Sequence, residues 1–380
     1  MSWPRDEAKL ERVRALMAEQ ELDALVVRAP DNVLYLTNFW GMKGFDAAVF
    51  PQEGEPILIT IEPSAQDAAE TAWTEDVRLV PGYDATDPRP PALRALEVAR
   101  AAAAQYGRVG AELSLGTQAT DRMVGEPTTF TKAWFDAFTV DATPLLNQAR
   151  AIKTEQELER MRLANEIAAA AMEHVAGELR PGMKESEAAA LWQGFVHGEG
   201  TGWKGKVELA LPFSLVWSGP GIRTFTATGH RPVQEHEPTL FEIWVCADGY
   251  WCDHTKNVCP GTLDQRYDEL LDALLGVYNQ ALEHCRPGAS FPELDRIIRT
   301  GITAAGLAEP SHPIAHGVGA RAHEPPYAHQ AGSGTIEEGM VLAIEPGAYW
   351  EGGGGLRVED NFLITADGVE KLSSYPDDFR

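Results

Sequence analysis

A tripeptide occurs twice in the second half of this sequence, as Arg180-Pro181-Gly182 and as Arg286-Pro287-Gly288, 106 residues apart. Each copy is expected to end one long helix and to precede another, because proline and glycine both interrupt a helical pattern. After the second copy, Ser290 and Glu293 have the spacing of a capping box, which marks a helix start. The sequence therefore predicts an internal duplication with two pairs of helices. A chance repeat of a common tripeptide is the alternative.

Four carboxylates keep nearly the same spacing. Glu242 and Glu345 are 103 residues apart, and Asp253 and Glu359 are 106 apart. Each half holds two of them, on what the residue pattern predicts to be two successive strands. A duplicated unit of two helices and a strand pair would bring all four carboxylates together across a pseudo-twofold axis.

One histidine completes this set. His316 begins the sequence H-G-V-G, in which the flanking glycines let the backbone approach closely and leave the imidazole uncovered. Four carboxylates and one histidine suit two hard divalent ions that share bridging carboxylates better than they suit a structural zinc ion. The chain is therefore expected to be a metal-assisted hydrolase.

Neighbouring residues are expected to contribute to the same site. His323 follows the first histidine by seven residues and could move protons near neutral pH. Glu345 ends an apolar strand, where burial without a charge partner would be costly. Arg357 precedes Glu359 by two residues and is expected to orient a ligand carboxylate. The glycine run 352–355 lacks the Lys-Ser/Thr of a phosphate loop and predicts a hairpin turn.

Composition narrows the class of protein. The 380 residues, 44% of them hydrophobic, are enough for two domains with sizeable cores. A formal charge of -25 argues against a nucleic-acid partner. The charged N-terminal sequence and the lack of a long apolar run predict a cytoplasmic protein without a membrane partner. The cysteines form no C-x-x-C pair and are expected to be reduced thiols: Cys246, Cys252, Cys259 and Cys285.

The first part of the chain predicts a small α/β domain. Its signals alternate in this order: helix 6–20, strand 22–27, strand 47–50, strand 57–61 and helix 92–105. We expect one domain at residues 1–143 and a second at residues 144–380, because an irregular segment with a proline lies between them. Thr154 and Glu157 form a capping box that opens a long helix in the second domain.

These residues resemble the pita-bread metallopeptidase family, which includes prolidase, aminopeptidase P and methionine aminopeptidase, with metal-free relatives such as creatinase. Segments 22–27 and 32–37 look like the family's N-terminal domain, and segment 152–158 looks like the start of its catalytic domain. The motifs H-G-x-G-x-x-x-H-E, E-P-G and G-x-R-x-E-D are present late in the chain. The resemblance covers nearly the whole chain. It implies an α/β N-terminal domain and an α+β pita-bread catalytic domain, closest to two-domain Xaa-Pro dipeptidases.

The resemblance also implies a ligand set for two divalent ions of the manganese, cobalt or zinc class. Asp253 and Glu359 would bridge the two ions. His316 and Glu345 would complete one metal position, and Glu242 would serve the other.

Catalysis would fall to three residues in such an enzyme. Glu345 would take a proton from the attacking water, and His323 would stabilise the tetrahedral intermediate. Arg357 would assist them by orienting a ligand. The substrate would be a small peptide that contains proline, and the family resemblance implies a homodimer.

Three departures from the family pattern affect this expectation. Glu242 stands where most metal-dependent members have aspartate, so one metal position is expected to be weak. Lys256 replaces an arginine and leaves a point charge in place of a planar fork. Phe225 or Thr226 falls where the family has a catalytic histidine, and His230 lies too close in sequence to Glu242 to replace that histidine without a loop rearrangement.

The preferred function is hydrolysis of a peptide bond that precedes proline. The 14-residue separation of Glu345 and Glu359 favours the prolidase-like form, so dipeptides are weakly preferred over longer peptides. Gly334 falls near the position of the arginine with which prolidases hold the dipeptide carboxylate, and Arg223 and Arg321 are candidate substitutes.

Two other functions stay open. One is a metal-free, creatinase-type hydrolase of a small C–N substrate, which Glu242 and the absent family histidine favour. The other is a peptide-binding pseudoenzyme that keeps the cleft without turnover.

Overall fold

Contacts along the chain divide it into two units, Met1–Arg150 and Ala151–Arg380. The computed structural model describes residues 3–41, 44–113, 132–224, 226–350 and 353–380. All four cysteines are free thiols, as expected, and three of them are buried. None of the helices in these ranges combines the length and the apolar character that a membrane crossing requires.

The first unit alternates helices and strands. In chain order these are α1 (Glu7–Glu19), β1 (Ala24–Val27), α2 (Pro30–Thr37), β2 (Ala47–Pro51), β3 (Ile57–Ile61), α3 (Ala65–Thr71), β4 (Val77–Val80), α4 (Pro91–Ala103), β5 (Val109–Ala111), α5 (Lys132–Ala137), β6 (Val140–Asp141) and α6 (Thr143–Ala151). All five elements predicted from the sequence are present, and their ends move by two residues at most. The expected α/β organisation of this unit is therefore confirmed.

One six-stranded sheet carries the first unit, with the strand order β4-β3-β2-β1-β5-β6. Strand β1, in the middle of this sheet, is buried on both faces, and its side chains alternate between two cores. Leu25 packs with Leu10 of α1, whereas Val26 packs with Ala95 of α4. Helices therefore cover both faces of the sheet.

The division between the units falls after Arg150, whereas the sequence suggested a boundary between residues 143 and 144. Helix α6 accounts for the difference. Its residues Leu145, Leu146 and Ala149 are fully or almost fully buried in the core that α1 also lines, so this helix packs within the first unit.

The second unit begins with two long helices and then adds strands. In chain order its elements are α7 (Glu155–Glu178), α8 (Glu185–Phe195), β7 (Ala210–Ser218), β8 (Thr239–Ala247), β9 (Tyr250–Val258), α9 (Gln265–His284), α10 (Phe291–Ala304), β10 (Ala315–Gly317), β11 (Glu324–Tyr327), β12 (Val341–Ile344), β13 (Gly347–Tyr349), β14 (Gly355–Arg357), β15 (Asp360–Thr365) and β16 (Gly368–Lys371). Each half therefore contains two helices followed by strands, in the predicted order. The duplication itself stays a prediction.

The capping box predicted at the start of α7 is complete, whereas the one predicted at the start of α10 is half formed. At α7, Glu157 N–H donates to the Thr154 hydroxyl at 3.3 Å, and Thr154 N–H donates to the Glu157 carboxylate at 3.1 Å. At α10, Ser290 accepts from Glu293 N–H at 3.3 Å. The Glu293 carboxylate, however, binds the Arg296 guanidinium, so the predicted second capping box keeps only its serine half.

The hairpin of β8 and β9 has the predicted turn at Asp248-Gly249. Both residues have positive φ angles, 46° and 88°, as a two-residue type I′ turn requires. The turn fixes a register in which Glu242 pairs with Thr255 and Trp244 pairs with Asp253. All four of these side chains therefore lie on one face of the hairpin.

Among the described residues of this unit, the strands form three sheets, with the orders β7-β8-β9, β11-β10-β12-β15-β16 and β13-β14. Helix α7 lies against the even-numbered residues of β9: the Tyr250 hydroxyl donates to Glu157 at 2.9 Å, and His254 Nε2 is 2.7 Å from the Asn165 amide oxygen. Helices α9 and α10 share a core with the even-numbered residues of β12 and β15. Asp253 is odd-numbered, so it points away from α7.

A buried charge network ties the end of the chain to the helix side of β9. Lys256 Nζ lies 2.6 Å from Asp360 and 2.7 Å from Asp377, and its side chain is 1% exposed. Burial alone would lower the pKa of Lys256, but the two carboxylates hold it above its ordinary value. Burial opposes ionisation of Asp360 as well, yet Lys256 and its neighbours lower the pKa of that carboxyl group to about 2.

Replacing Lys256 with methionine should lower the free energy of unfolding of the second unit by about 3–5 kcal/mol, because two acidic groups lose their buried partner. Urea denaturation followed by tryptophan fluorescence measures this change. Lys371→Met is the matched control: Lys371 binds the same two carboxylates but is 29% exposed, so its loss should cost about 1 kcal/mol. Equal costs for the two variants would contradict the importance of the buried contact.

Candidate metal centre

The candidate site forms where β9 meets β15. Thr255 and Glu359 form an isolated β-bridge that joins the sheet of β9 to the sheet of β15. The Asn361 side chain reinforces this junction, because its amide oxygen accepts from Asp253 N–H at 3.0 Å and its amide nitrogen donates to the Asp253 carbonyl at 2.8 Å. The Thr255 hydroxyl donates to the Glu359 carboxylate at 2.6 Å. The hydrogen bonds made by Asn361 and Thr255 therefore hold two predicted metal ligands, Asp253 and Glu359, at the same junction.

Four of the five predicted ligands converge at this junction. His316 Nε2 lies 3.6 Å from Asp253 Oδ2 and 3.4 Å from Glu345 Oε1. Ligand atoms of His316, Glu345 and Glu359 all lie within 4.8 Å of one another, as do those of Asp253, His316 and His323. Strand pairing explains the convergence: His316 of β10 lies opposite Ala343 of β12, two residues before Glu345.

Glu345 and Glu359 differ from the predicted placement on two successive strands. They directly follow β12 and directly precede β15, and these two strands pair with each other. The hairpin of β13 and β14 lies between them in the chain. The predicted glycine turn belongs to this hairpin, although Gly352 lies outside the described residues.

Like charges and burial set the electrostatics of the carboxylates. Burial raises the pKa of Asp253 well above its ordinary value, and Glu359, Glu345 and Glu242 raise it further. Burial and Glu345 likewise raise the pKa of Glu359 to about 7. Burial alone would raise the pKa of Glu345 too, but its close contacts with His312 and His316 hold it well below its ordinary range.

The donor atoms fit a divalent cation. His316 Nδ1 lies 3.0 Å from the Gly317 carbonyl, which can only accept a hydrogen bond, so Nε2 is the ring atom left to bind a cation. Burial would lower the pKa of His316, but Glu345 holds it above its ordinary value, so a cation would compete with a proton for this ring. His316 Nε2 and Asp253 Oδ2 are both buried without a hydrogen-bond partner among the described residues. A cation would satisfy both atoms and would offset the repulsion among the carboxylates.

His323 lies at the edge of this cluster. Its Nε2 atom is 3.3 Å from Asp253 Oδ2, and its ring centroid is 4.3 Å from that of His316. Burial and the neighbouring His316 lower the pKa of His323 to about 3. The ring is therefore neutral at pH 7 and carries one N–H group.

Glu242 lies on the correct face but its carboxylate is bound elsewhere. Arg357 Nη2 is 2.7 Å from Glu242 Oε2, and both side chains are largely buried. The same guanidinium donates from Nε to the Thr255 hydroxyl at 2.5 Å and lies 3.7 Å from Glu359. Glu242 belongs to neither cluster of ligand atoms among the described residues. Arg357 thus contacts two of the predicted ligands, and the metal role of Glu242 stays a prediction.

Sequence reasoning missed two residues of the site. His312 Nδ1 is 3.2 Å from Glu345 Oε2, and its Nε2 is 3.2 Å from the Tyr349 hydroxyl. Its position four residues before His316 was the only signal in the sequence. Trp244 stacks on Phe213 with ring centroids 5.1 Å apart and lies 6.3 Å from His323, so an aromatic wall borders the cluster. The period of β8 placed Trp244 on the ligand face, but a strand tryptophan is usually a core residue.

The other predicted residues that the structure describes lie in loops. Phe225 is outside the described residues. Thr226 has a buried hydroxyl that makes no hydrogen bond in the described part of the chain, and His230 is exposed. Arg223 is exposed as well, whereas Arg321 is partly buried in the loop that carries His323.

Known proteins share both the fold and the sequence pattern. Residues 159–366 match the sequence model of metallopeptidase family M24, and residues 9–152 match that of the creatinase/prolidase N-terminal domain. An uncharacterized peptidase of Staphylococcus saprophyticus is 25% identical over 97% of this chain and 99% of its own length.

Solved structures show the same two-domain fold. The prolidase from Pyrococcus horikoshii superposes with a TM-score of 0.78 at 23% identity, over 98% of this chain and 100% of that one. The X-Pro aminopeptidase from Thermotoga maritima gives 0.77 at 22% identity, over 97% and 98%. The pita-bread fold predicted from the sequence is therefore confirmed. Because the family match spans more than half of its 380 residues, the chain belongs to metallopeptidase family M24.

Proposed function

We propose that this enzyme hydrolyses the peptide bond that precedes proline in short peptides, with a weak preference for dipeptides. The observation that carries the proposal is the convergence of Asp253, His316, Glu345 and Glu359, with His323 beside them. Two of their buried atoms, Asp253 Oδ2 and His316 Nε2, have no hydrogen-bond partner in the described part of the chain. Two proteins of similar fold, a prolidase and an X-Pro aminopeptidase, support proline as the residue after the cleaved bond.

The four converging ligands would hold a divalent cation, with Glu242 as a ligand of a second, weaker position. The cation, of the manganese, cobalt or zinc class, supplies Lewis-acid polarisation of the substrate and lowers the pKa of water. The interactions of Asp253 with Asn361 and of Glu359 with Thr255 keep these two carboxylates in place before substrate arrives. Such preorganisation reduces the reorganisation needed during reaction.

Glu345 is the residue we assign to proton transfer. Its low pKa keeps it ionised at pH 7, so it can accept a proton from the attacking water. His312 contacts the other carboxylate oxygen and fixes the orientation of Glu345.

His323 is the residue we assign to charge stabilisation. The neutral ring has one N–H group that can donate to the carbonyl oxygen of the substrate as negative charge develops there. Arg321 lies two residues before His323 on the same loop. This position favours Arg321 over the exposed Arg223 as the cation that receives the carboxylate of a dipeptide.

A metal-free hydrolase of a small C–N substrate is the second candidate. The ion pair of Glu242 with Arg357 favours it, because that pair neutralises one carboxylate without a metal. Chelation separates the two candidates, since only the metallopeptidase should lose activity.

A cytoplasmic location and a homodimer belong to the main proposal as well.

Metal uptake at pH 7 should release about one proton or more per chain, because ligands must be deprotonated to bind. The sign follows from the raised pKa values of Asp253 and Glu359, which leave protons on the metal-free site at neutral pH. Calorimetric titration with Mn²⁺ in buffers of different ionisation enthalpy measures the release. The release should shrink as the pH rises through the pKa of Glu359, and a heat that is independent of the buffer would contradict it.

Glu242→Asp should raise occupancy of the second metal position. The shorter side chain withdraws its carboxylate from Arg357 and frees it for a cation. Elemental analysis and metal titration give the stoichiometry. Glu237→Asp is the matched control, because Glu237 also binds an arginine, Arg231 at 2.8 Å, in a different part of the unit. An unchanged stoichiometry in Glu242→Asp would count against this role.

His323→Asn should lower kcat for Xaa-Pro dipeptides by about 10²- to 10⁴-fold, while metal content stays close to that of the unmodified enzyme. Steady-state kinetics on Xaa-Pro dipeptides and Xaa-Pro-Xaa tripeptides measure the effect and the length preference together. The exposed His329 provides the control variant His329→Asn. Metal binding without cleavage of any proline peptide by the unmodified enzyme would overturn the proposed function.

A further inference from the structure

The orientation of His323 has no direct hydrogen-bond support on one side. Its Nδ1 atom is buried and has no hydrogen-bond partner among the described residues. A functional histidine is usually oriented by a hydrogen bond to the second ring nitrogen. Apart from the contact of Nε2 with Asp253 Oδ2 at 3.3 Å, the position of this ring therefore depends on its backbone and on the packing around it.

The next residue, Glu324, is held by a buried ion pair. Lys153 Nζ lies 3.0 Å from Glu324 Oε1, and the two side chains are 1% and 3% exposed. Lys153 is itself fixed: its N–H donates to the Gly339 carbonyl at 2.9 Å, and its ammonium group contacts the Ala151 carbonyl at 3.3 Å. Because Lys153 directly precedes the capping residue of α7, the ion pair joins the His323 backbone to a rigid helix start.

The ion pair also fills the space beneath the loop that leads to His323. A Cβ atom on Gly319 would lie 2.4 Å from Glu324 Oε1 and 3.1 Å from Lys153 Cε. The Gly319 carbonyl accepts from Trp251 N–H at 2.9 Å, and Gly319 N–H donates to the Arg321 carbonyl at 2.9 Å. The loop thus rests on the ion pair on one side and on β9, two residues before Asp253, on the other.

We propose that Lys153 and Glu324 form a positioning pair that sets the distance between His323 and Asp253. Neither residue belongs to the two clusters of candidate ligand atoms among the described residues, so the pair would act through the backbone of His323. The inference rests on the proposed function only for the role of His323 in turnover, since the positioning itself can be measured without substrate.

Glu324→Gln is the first test, because it keeps the shape of the side chain and removes its charge. We expect kcat to fall by about 10- to 100-fold. We expect KM to change by less than about threefold and metal content to stay unchanged, because the pair supports the transition-state contact of His323. Lys153→Met should have the same effect or a larger one, and Lys153→Arg should restore most of the activity. Lys206→Met removes an exposed ion pair with Glu159 and serves as the control.

A double-mutant cycle distinguishes positioning from a general loss of structure. In the His323→Asn background, Glu324→Gln should lower kcat no further. An equal loss in both backgrounds would overturn the proposal. Thermal denaturation of each variant shows whether a drop in kcat reflects unfolding, and a drop explained wholly by unfolded protein would also overturn it.

Imidazole NMR signals test the same proposal without turnover. The His323 signal, assigned through His323→Asn, should move in Glu324→Gln and in Lys153→Met but not in Lys206→Met. An unmoved signal would overturn the positioning role. Absence of proline-peptide cleavage by the unmodified enzyme would overturn the proposed function instead, and the NMR result would still decide the role of the pair.

Discussion

Repulsion among buried carboxylates is the constraint on which this catalytic unit depends. Asp253, Glu345 and Glu359 meet in a site from which water is largely excluded, where an uncompensated negative charge is costly. The hydrogen bonds that join the strands at this site come from Asn361 and Thr255. These side chains are uncharged, so they hold the strands together without neutralising the carboxylates. Within the protein, Arg357 lies 3.7 Å from Glu359 and His316 lies 3.4 Å from Glu345, and a cation would supply the remaining charge compensation.

On the other face of β9 and β15, by contrast, the buried acidic groups are paired with lysines. There Lys256 and Lys371 face Asp360 and Asp377, so each charge has a partner within the protein. Neighbouring residues at this junction thus serve stability and chemistry separately. Glu359 and Asp360 illustrate the division: the first belongs to the ligand cluster, and the second is neutralised by lysine.

Much of this organisation could be predicted from the sequence, because it rests on local signals. The Thr154 cap, the Asp248-Gly249 turn and the strand alternation around Asp253 act over a few residues, and each appears in the structure as expected. The proposed ligand residues were selected through their spacing and their family motifs. The second capping box was only half formed because Glu293 has a nearby arginine, a competition that no local pattern reveals.

The remaining features depend on contacts between residues far apart in the chain. Three contacts arise only when the sheets and the start of α7 come together. They are the ion pair of Glu242 with Arg357, the contact of His312 with Glu345 and the ion pair of Lys153 with Glu324. The division after Arg150 has a similar origin, since α6 is assigned by the core it enters.

The two-residue turn at Asp248-Gly249 has an evolutionary consequence. It fixes which residues of β9 face the ligands and which face α7, so an insertion of one residue would exchange Asp253 for a helix-facing neighbour. Substitutions at odd-numbered positions, by contrast, leave the packing of Tyr250 and His254 against α7 intact. The hairpin therefore permits new chemistry by point mutation while it penalises changes in length, which is how one scaffold can diversify in activity without losing its fold.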